Sequence, residues 1–376
     1  MQKQRLFFLD NLRSATILLV VVFHAALAYM IYVPEWWYVI DPKRVLSADI
    51  LVIWADIFIM PIMFFISGYF GIKSLAKRSA STFWLDKWKR IGLPWIFGSM
   101  LIAPQLTYLM LQSRSVSMGF WEFYTNLFWG EAYQQGQYWY LGALMVLYLL
   151  MYIACVIFPK IKKQNQTASA PSTALFFIIG LAGALGIGWI TTIVPYGDGT
   201  WIHPLYLIVL QPTRVPLYLI YFALGIIAYR NHWFIEGGYN PSAKIWGPLF
   251  ALSSIIYVIH KLYSQATFHL DPQQYLILNS LMHSFFCLCA VFGSIALFKV
   301  CCDYSNSIWA TLSAISYPIY FIHHNIAMEF NWLFRPLETN AFIKYFLVCI
   351  CSLTVCYFTC KYIVLKIPPF KVARKQ

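Results

Sequence analysis

Charged side chains are scarce in this chain, and acidic ones scarcer still. Lys and Arg number 27 and Asp and Glu only 14 among 376 residues, so 11% of the chain is charged, where a soluble domain carries about 25%. That shortage excludes a water-soluble globular domain. Polar stretches between the apolar runs are short, which leaves no room for a soluble appendage. No repeat of fixed period is evident. Gly180, Gly183, Gly186 and Gly188 recur in one apolar run, but no strand precedes them as a phosphate-cradling loop requires, so close helix packing is expected. No basic stripe with interleaved aromatics lies outside the loops, so the net charge of +13 is not a nucleic-acid footprint. The nine cysteines sit in apolar runs or at their ends, so buried thiols are expected, with no disulfide framework and no metal site.

What is abundant is apolar (60%) and aromatic (19%). The pattern reads as an all-α polytopic membrane protein, one domain over residues 1–376 with ten spans near 14–33, 50–72, 91–111, 138–158, 174–194, 215–229, 245–263, 275–298, 308–330 and 342–364. The sixth is short, and WIHPLYLIVLQP before it is expected in the interface or as a re-entrant segment. With the N-terminus inside, twenty Lys and Arg are cytoplasmic against seven on the far side, and both termini are cytoplasmic. The excess basic charge then contacts membrane lipids. Lys3, Arg5 and Ala26-Leu27-Ala28 imitate a signal peptide, but cleavage would leave nine spans and break this bookkeeping.

Ionisable residues inside a span are costly and mark function. In LDNLRSATILLVVVFHAALAYM, the eleven steps from Arg13 to His24 end about 20° from where they began and roughly 16 Å along the axis. Asp10 falls about 40° to the other side. One face therefore carries a carboxylate and a guanidinium at the membrane surface and an imidazole near mid-depth. A neutral imidazole, the form desolvation favours, can act as a general base or take an acyl group itself. Asp10 is about 21 Å from His24 on a straight helix, so the imidazole's partner comes from another helix. Asp56, His323 and His324 are the candidates.

Other constellations support this one. SYPIYFIHHNIAMEF puts His323, His324 and Glu329 in the ninth span, with Pro318 freeing a carbonyl. Consecutive histidines point about 100° apart, so at most one is expected to face His24. Asp56 needs a cation at a neighbouring helix end, or His24. Arg78, Lys87 and Arg90, in KSLAKRSASTFWLDKWKRIGLP, are either a positive-inside signal or a phosphate site near Arg13. The far side is rich in Trp and Tyr, Trp139 among them. It reads as an interfacial belt or as a carbohydrate platform with Glu122, Glu131, Gln134, Gln135, Asp198 and His203 as hydrogen-bonding groups. Lys160 to Thr173 reads as a flexible linker.

Arg13 and His24 preceded by Leu-Asp, Asp56 ahead of FFISGY, the basic run before Ile91-Gly92-Leu93-Pro94, QYWYL from Gln137, and SYPIYFIH occur in the order found in the integral-membrane acyltransferase-3 family, which the chain resembles over nearly its whole length. Met60-Pro61 is most similar to the branch that succinylates periplasmic glucans. The family's Gly-Leu-Arg-Gly is here Asn11-Leu12-Arg13-Ser14, and its paired arginines are Lys87 and Arg90. The resemblance implies an enzyme of the bacterial inner membrane. It would carry acetyl or succinyl from cytosolic acyl-CoA, bound by Arg13, Arg78, Lys87 and Arg90, to a glycan or lipid-linked sugar outside, with His24, Arg13 and Asp10 catalytic. Asp56, Glu131, Trp139, His323 and His324 would support the substrates. The competing reading is a proton-coupled transporter or flippase of a lipid-linked sugar, with His24, Asp56 and Glu329 relaying protons.

Overall fold

The computed structural model describes residues 5–130, 132–194, 199–368 and 370. Among them it is helical with no β-strand, apart from a single antiparallel bridge between Ile202 and Leu210. The main helices are α1 (Phe7–Leu27), α2 (Leu46–Ala55), α3 (Ile59–Lys77), α4 (Ala80–Ser113), α5 (Trp139–Ile157), α6 (Thr173–Ile193), α7 (Val215–Arg230), α8 (Ala243–Phe268), α9 (Pro272–Cys301), α10 (Ser307–Phe334) and α11 (Ala341–Tyr362). Nine segments among the described residues are long and apolar enough to cross a membrane, α2 and α3 counting as one. The difference from the expected ten is α10. Its 28 residues, about 42 Å at the helical rise, suffice in length, but it carries His323, His324, Asn325, Glu329 and Asn331.

Packing follows small residues. The principal pairs are α1 on α10, α3 on α7, α6 on α9, α8 on α9, and α10 on α11. At the α3–α7 crossing, a Cβ on Gly68 would strike the Phe222 carbonyl oxygen, and one on Gly225 the Phe65 carbonyl oxygen, so glycine lets the two backbones meet. In α6, Gly180 and Gly183 lie against Phe285 and Ser284 of α9, the close packing expected of that glycine series.

Several boundaries differ from those expected, for local reasons. α1 ends at Leu27 rather than near 33, because the buried Asp49 carboxylate takes the amides of Ile31 (2.8 Å) and Tyr32 (3.0 Å) and draws the chain out of the helix. His24 therefore sits in the last turn of α1. The second span breaks after Ala55: Pro61 has no N–H for the Ile57 carbonyl, and residues 56–58 form a turn. The third begins at Ala80, so Lys87 and Arg90 lie on its helix rather than in a loop. That helix contains two π-helical stretches, Trp88–Gly92 and Gly98–Ile102, just ahead of or spanning the residues before Pro94 and Pro104. The carbonyl freed by Pro94, that of Arg90, accepts from Tyr317 Oη at 2.5 Å. α10, by contrast, runs unbroken past Pro318.

The connecting segments are pinned. Ser169 Oγ donates to Asn231 Oδ1 at 3.0 Å and the Asn165 amide to the Arg230 carbonyl at 2.9 Å, so the expected flexible linker is tied to the end of α7. WIHPLYLIVLQP is irregular backbone closed by the Ile202–Leu210 bridge. It packs with Phe123, Phe128 and Tyr133 into a small satellite core beside the main one.

Candidate active site

One stripe of α1 organises the site. Asp10, Arg13 and Ile17 line a cavity of about 690 Å³, and Val20 and His24 line a second of about 430 Å³; the i, i+3, i+4 spacing puts all five on one helix face. Tyr140 and Tyr320 line both cavities and form the wall between them, ring centroids 5.7 Å apart. Tyr140 Oη is held by Ser67 Oγ at 2.9 Å, and Tyr320 Oη donates to the Gln137 carbonyl.

The larger cavity is basic. Arg5, Arg13, Lys87 and Arg90 line it, with Asp10 the acidic group. Asp10 takes Arg5 Nε at 3.0 Å and lies 3.6 Å from Arg13 Nη2. Arg13 also donates to Ser313 Oγ at 3.3 Å. Arg90 reaches Asp86 at 3.0 Å, and Lys87 sits 4.5 Å from the centre of the Tyr148 ring. Arg78 contacts Asp86 at 3.5 Å but does not line the cavity. Arg5, which does, counts in the sequence only as N-terminal basic charge.

The smaller cavity is aromatic and holds the imidazoles. His323 Nδ1 lies 2.7 Å from the Tyr320 carbonyl. A carbonyl only accepts, so that nitrogen carries the proton and His323 Nε2 is an acceptor. His24 Nδ1, 2.9 Å away, must then be the donor, which leaves His24 Nε2 with a free lone pair on a ring lining the cavity. His324 stacks on His24 with centroids 4.2 Å apart and planes 17° apart. Both histidines therefore reach His24, one at its edge and one at its face. The expectation that only one would do so failed because the two lie 100° apart on α10 and straddle the ring.

Aromatic side chains gather around this cavity: Trp36, Trp37, Trp139, Trp201, Tyr133 and Tyr218 line it. Gln135 is a wall component, because its amide is spent on Trp95 Nε1 (3.1 Å), Tyr133 Oη (2.9 Å) and the Leu207 carbonyl (3.1 Å). Gln134 Oε1 accepts from Tyr38 Oη at 2.8 Å, and burial raises the Tyr38 phenol above its ordinary range, which keeps it a donor. His203 lines the cavity, whereas Glu122 and Glu329 are exposed elsewhere. Glu131 and Asp198 lie outside the described residues.

Two charged pairs lie around the site, the first of the kind expected for Asp56 and the second not foreseen. Asp56 faces the cavity and pairs with Arg214 at 2.8 Å, so the cation at a neighbouring helix end is the one just before α7; Arg214 also donates to His283. Asp41 and Lys344, each at most 2% exposed, pair at 2.8 Å. With Arg114, whose guanidinium donates to the Trp37 carbonyl at 2.8 Å, they hold the 28–45 loop over His24. Partners 158 and 303 positions apart leave no local signal, although an Arg directly abutting an apolar run, as in QPTR, is a cue. No group of three or more His, Cys, Asp or Glu among the described residues is arranged to hold a metal ion.

A helical membrane bundle with a basic and an imidazole-bearing cavity on one helix face defines a class of integral-membrane proteins with polar intramembrane sites. Residues 6–361 match the acyltransferase domain that defines the acyltransferase-3 family, and the chain belongs to that family. Relatives include proteins named glucans biosynthesis protein C from Salmonella schwarzengrund and Salmonella paratyphi B, each 26% identical over 247 residues. The match covers 60% of this chain and 58% of each relative's length. No solved structure matches the chain.

Proposed function

We propose that the chain is a membrane O-acyltransferase that moves acetyl or succinyl from cytosolic acyl-CoA to a hydroxyl of a cell-envelope glycan on the outer side of the bacterial inner membrane. The observation that carries the reading is the pair of cavities of opposite chemistry on one face of α1, divided by Tyr140 and Tyr320. The basic cavity suits the donor's phosphates, with Arg13, Lys87, Arg90 and Arg5 as ligands and Asp10 holding the two arginines in place. Arg78 acts at one remove, by sharing Asp86 with Arg90.

The aromatic cavity suits the acceptor, because flat rings such as Trp139 pack against sugar faces. Family membership and the names of the relatives support a glycan as that acceptor. His24 Nε2 takes the acceptor's proton as general base and returns it to the departing thiolate. The acyl end of the donor reaches His24 by passing between Tyr140 and Tyr320.

Kinetics with purified protein, acyl-CoA and a glucan test the division of labour. Arg90→Ala should raise the donor KM at least tenfold and leave the acceptor KM within about twofold, and Trp139→Ala should do the reverse. Equal shifts in both constants for both variants would contradict it. Acceptor movement across a vesicle membrane without release of CoA would favour the transporter reading.

A further inference from the structure

We propose that His324 is a second catalytic imidazole, whose ring N–H hydrogen-bonds the acyl oxygen that becomes negative during transfer. The proposal rests on the acyl-transfer reading above. His324 is 3% exposed, and neither Nδ1 nor Nε2 has a partner among the described residues. A neutral imidazole carries one donor and one acceptor, so either tautomer leaves both unsatisfied, and such buried orphans are rare. The ring lines the same cavity as His24. Gly136, at φ +50° and lining the same cavity, passes beside the ring without a side chain to offer it a hydrogen bond. Trp37 and Tyr38 pack on the ring at 5.3 and 5.1 Å and offer it no hydrogen bond.

The near-parallel stacking gives the pair its use. His323 fixes His24 with Nε2 unprotonated, and the neighbouring ring, 4.2 Å away, supplies a donor beside that base. As the acceptor oxygen bonds to the acyl carbon, its proton passes to His24 Nε2 and the carbonyl electron pair moves onto the acyl oxygen, which His324 N–H holds. When the carbonyl reforms, the carbon–sulfur bond breaks and the thiolate leaves with the proton from His24. Two adjacent rings thus serve the two oxygens on one carbon.

The discriminating variants are His324→Phe, which keeps the stacking, and His324→Gln, which keeps an N–H. His324→Phe should lower kcat for transfer about 10²- to 10³-fold, with the donor KM within threefold and the unfolding temperature unchanged. His324→Gln should recover at least tenfold over Phe. A kcat for His324→Phe within threefold of the parent, or Gln no better than Phe, would overturn the proposal and leave the ring a packing element. The parent protein separates the two levels: a folded parent that moves no acyl label from acyl-CoA overturns the acyl-transfer reading itself, and with it this role of His324, whereas parent-like turnover in His24→Ala overturns the pairing of His324 with His24 as base.

Discussion

His24 Nδ1 and His323 Nε2 lie 2.9 Å apart, joining the last turn of α1 to α10 across 299 positions of sequence. Since the other nitrogen of His323 is committed to the Tyr320 carbonyl, the contact selects one tautomer of His24. His323→Leu should remove that selection and lower kcat by about 10²-fold, the low end of what general-base catalysis contributes. His323→Gln, which retains an acceptor, should lose at least tenfold less. Stopped assays of label transfer at saturating substrates check the ratio.

Tyr320 divides the two cavities together with Tyr140. Tyr320→Ala should join them and admit water to the donor's acyl carbon. Release of CoA without acceptor is expected to rise several-fold while transfer falls. A thiol-reactive dye read-out of free CoA measures both.

Lys344 and Asp41 form the most buried ion pair among the described residues, at 1% and 2% exposure. Lys344→Met strands the carboxylate and should cost about 3–5 kcal/mol, while adding Asp41→Leu should restore most of it, since an apolar pair replaces a buried ionic one nearly neutrally. Denaturant titration of the detergent-solubilised protein gives the coupling.

Gly225→Ala places a methyl against the Phe65 carbonyl oxygen and the Tyr69 amide, backbone atoms that cannot step aside. A loss of about 1–3 kcal/mol is expected. Gly119→Ala, with nothing within 4 Å of the new Cβ, is the matched control and should leave the unfolding temperature unmoved.

How much of this was legible in the sequence depended on distance along the chain. The Asp10, Arg13 and His24 face follows from helical period alone, and α1 is unbroken over those residues. The aromatic surroundings were legible as composition, but not that Gln135 is consumed by the wall. The end of α1 was misjudged because Asp49, eighteen positions on, competes for its amides. Arg214 escaped notice because Asp56, the residue it neutralises, lies 158 positions away in the turn between α2 and α3. Both histidines of α10 reach His24 because that ring lies between their directions, a fact of helix placement that 100° spacing does not supply.

The central claim is that His24 carries acyl transfer between the two cavities. The most direct measurement incubates purified protein with acyl-CoA radiolabelled in its acyl group and a glucan, then counts label on the glucan and free CoA. The parent should move label with equal release of CoA, and His24→Ala should lose at least about 10²-fold with an unchanged unfolding temperature. Labelling by folded His24→Ala at the parent's rate would contradict the account.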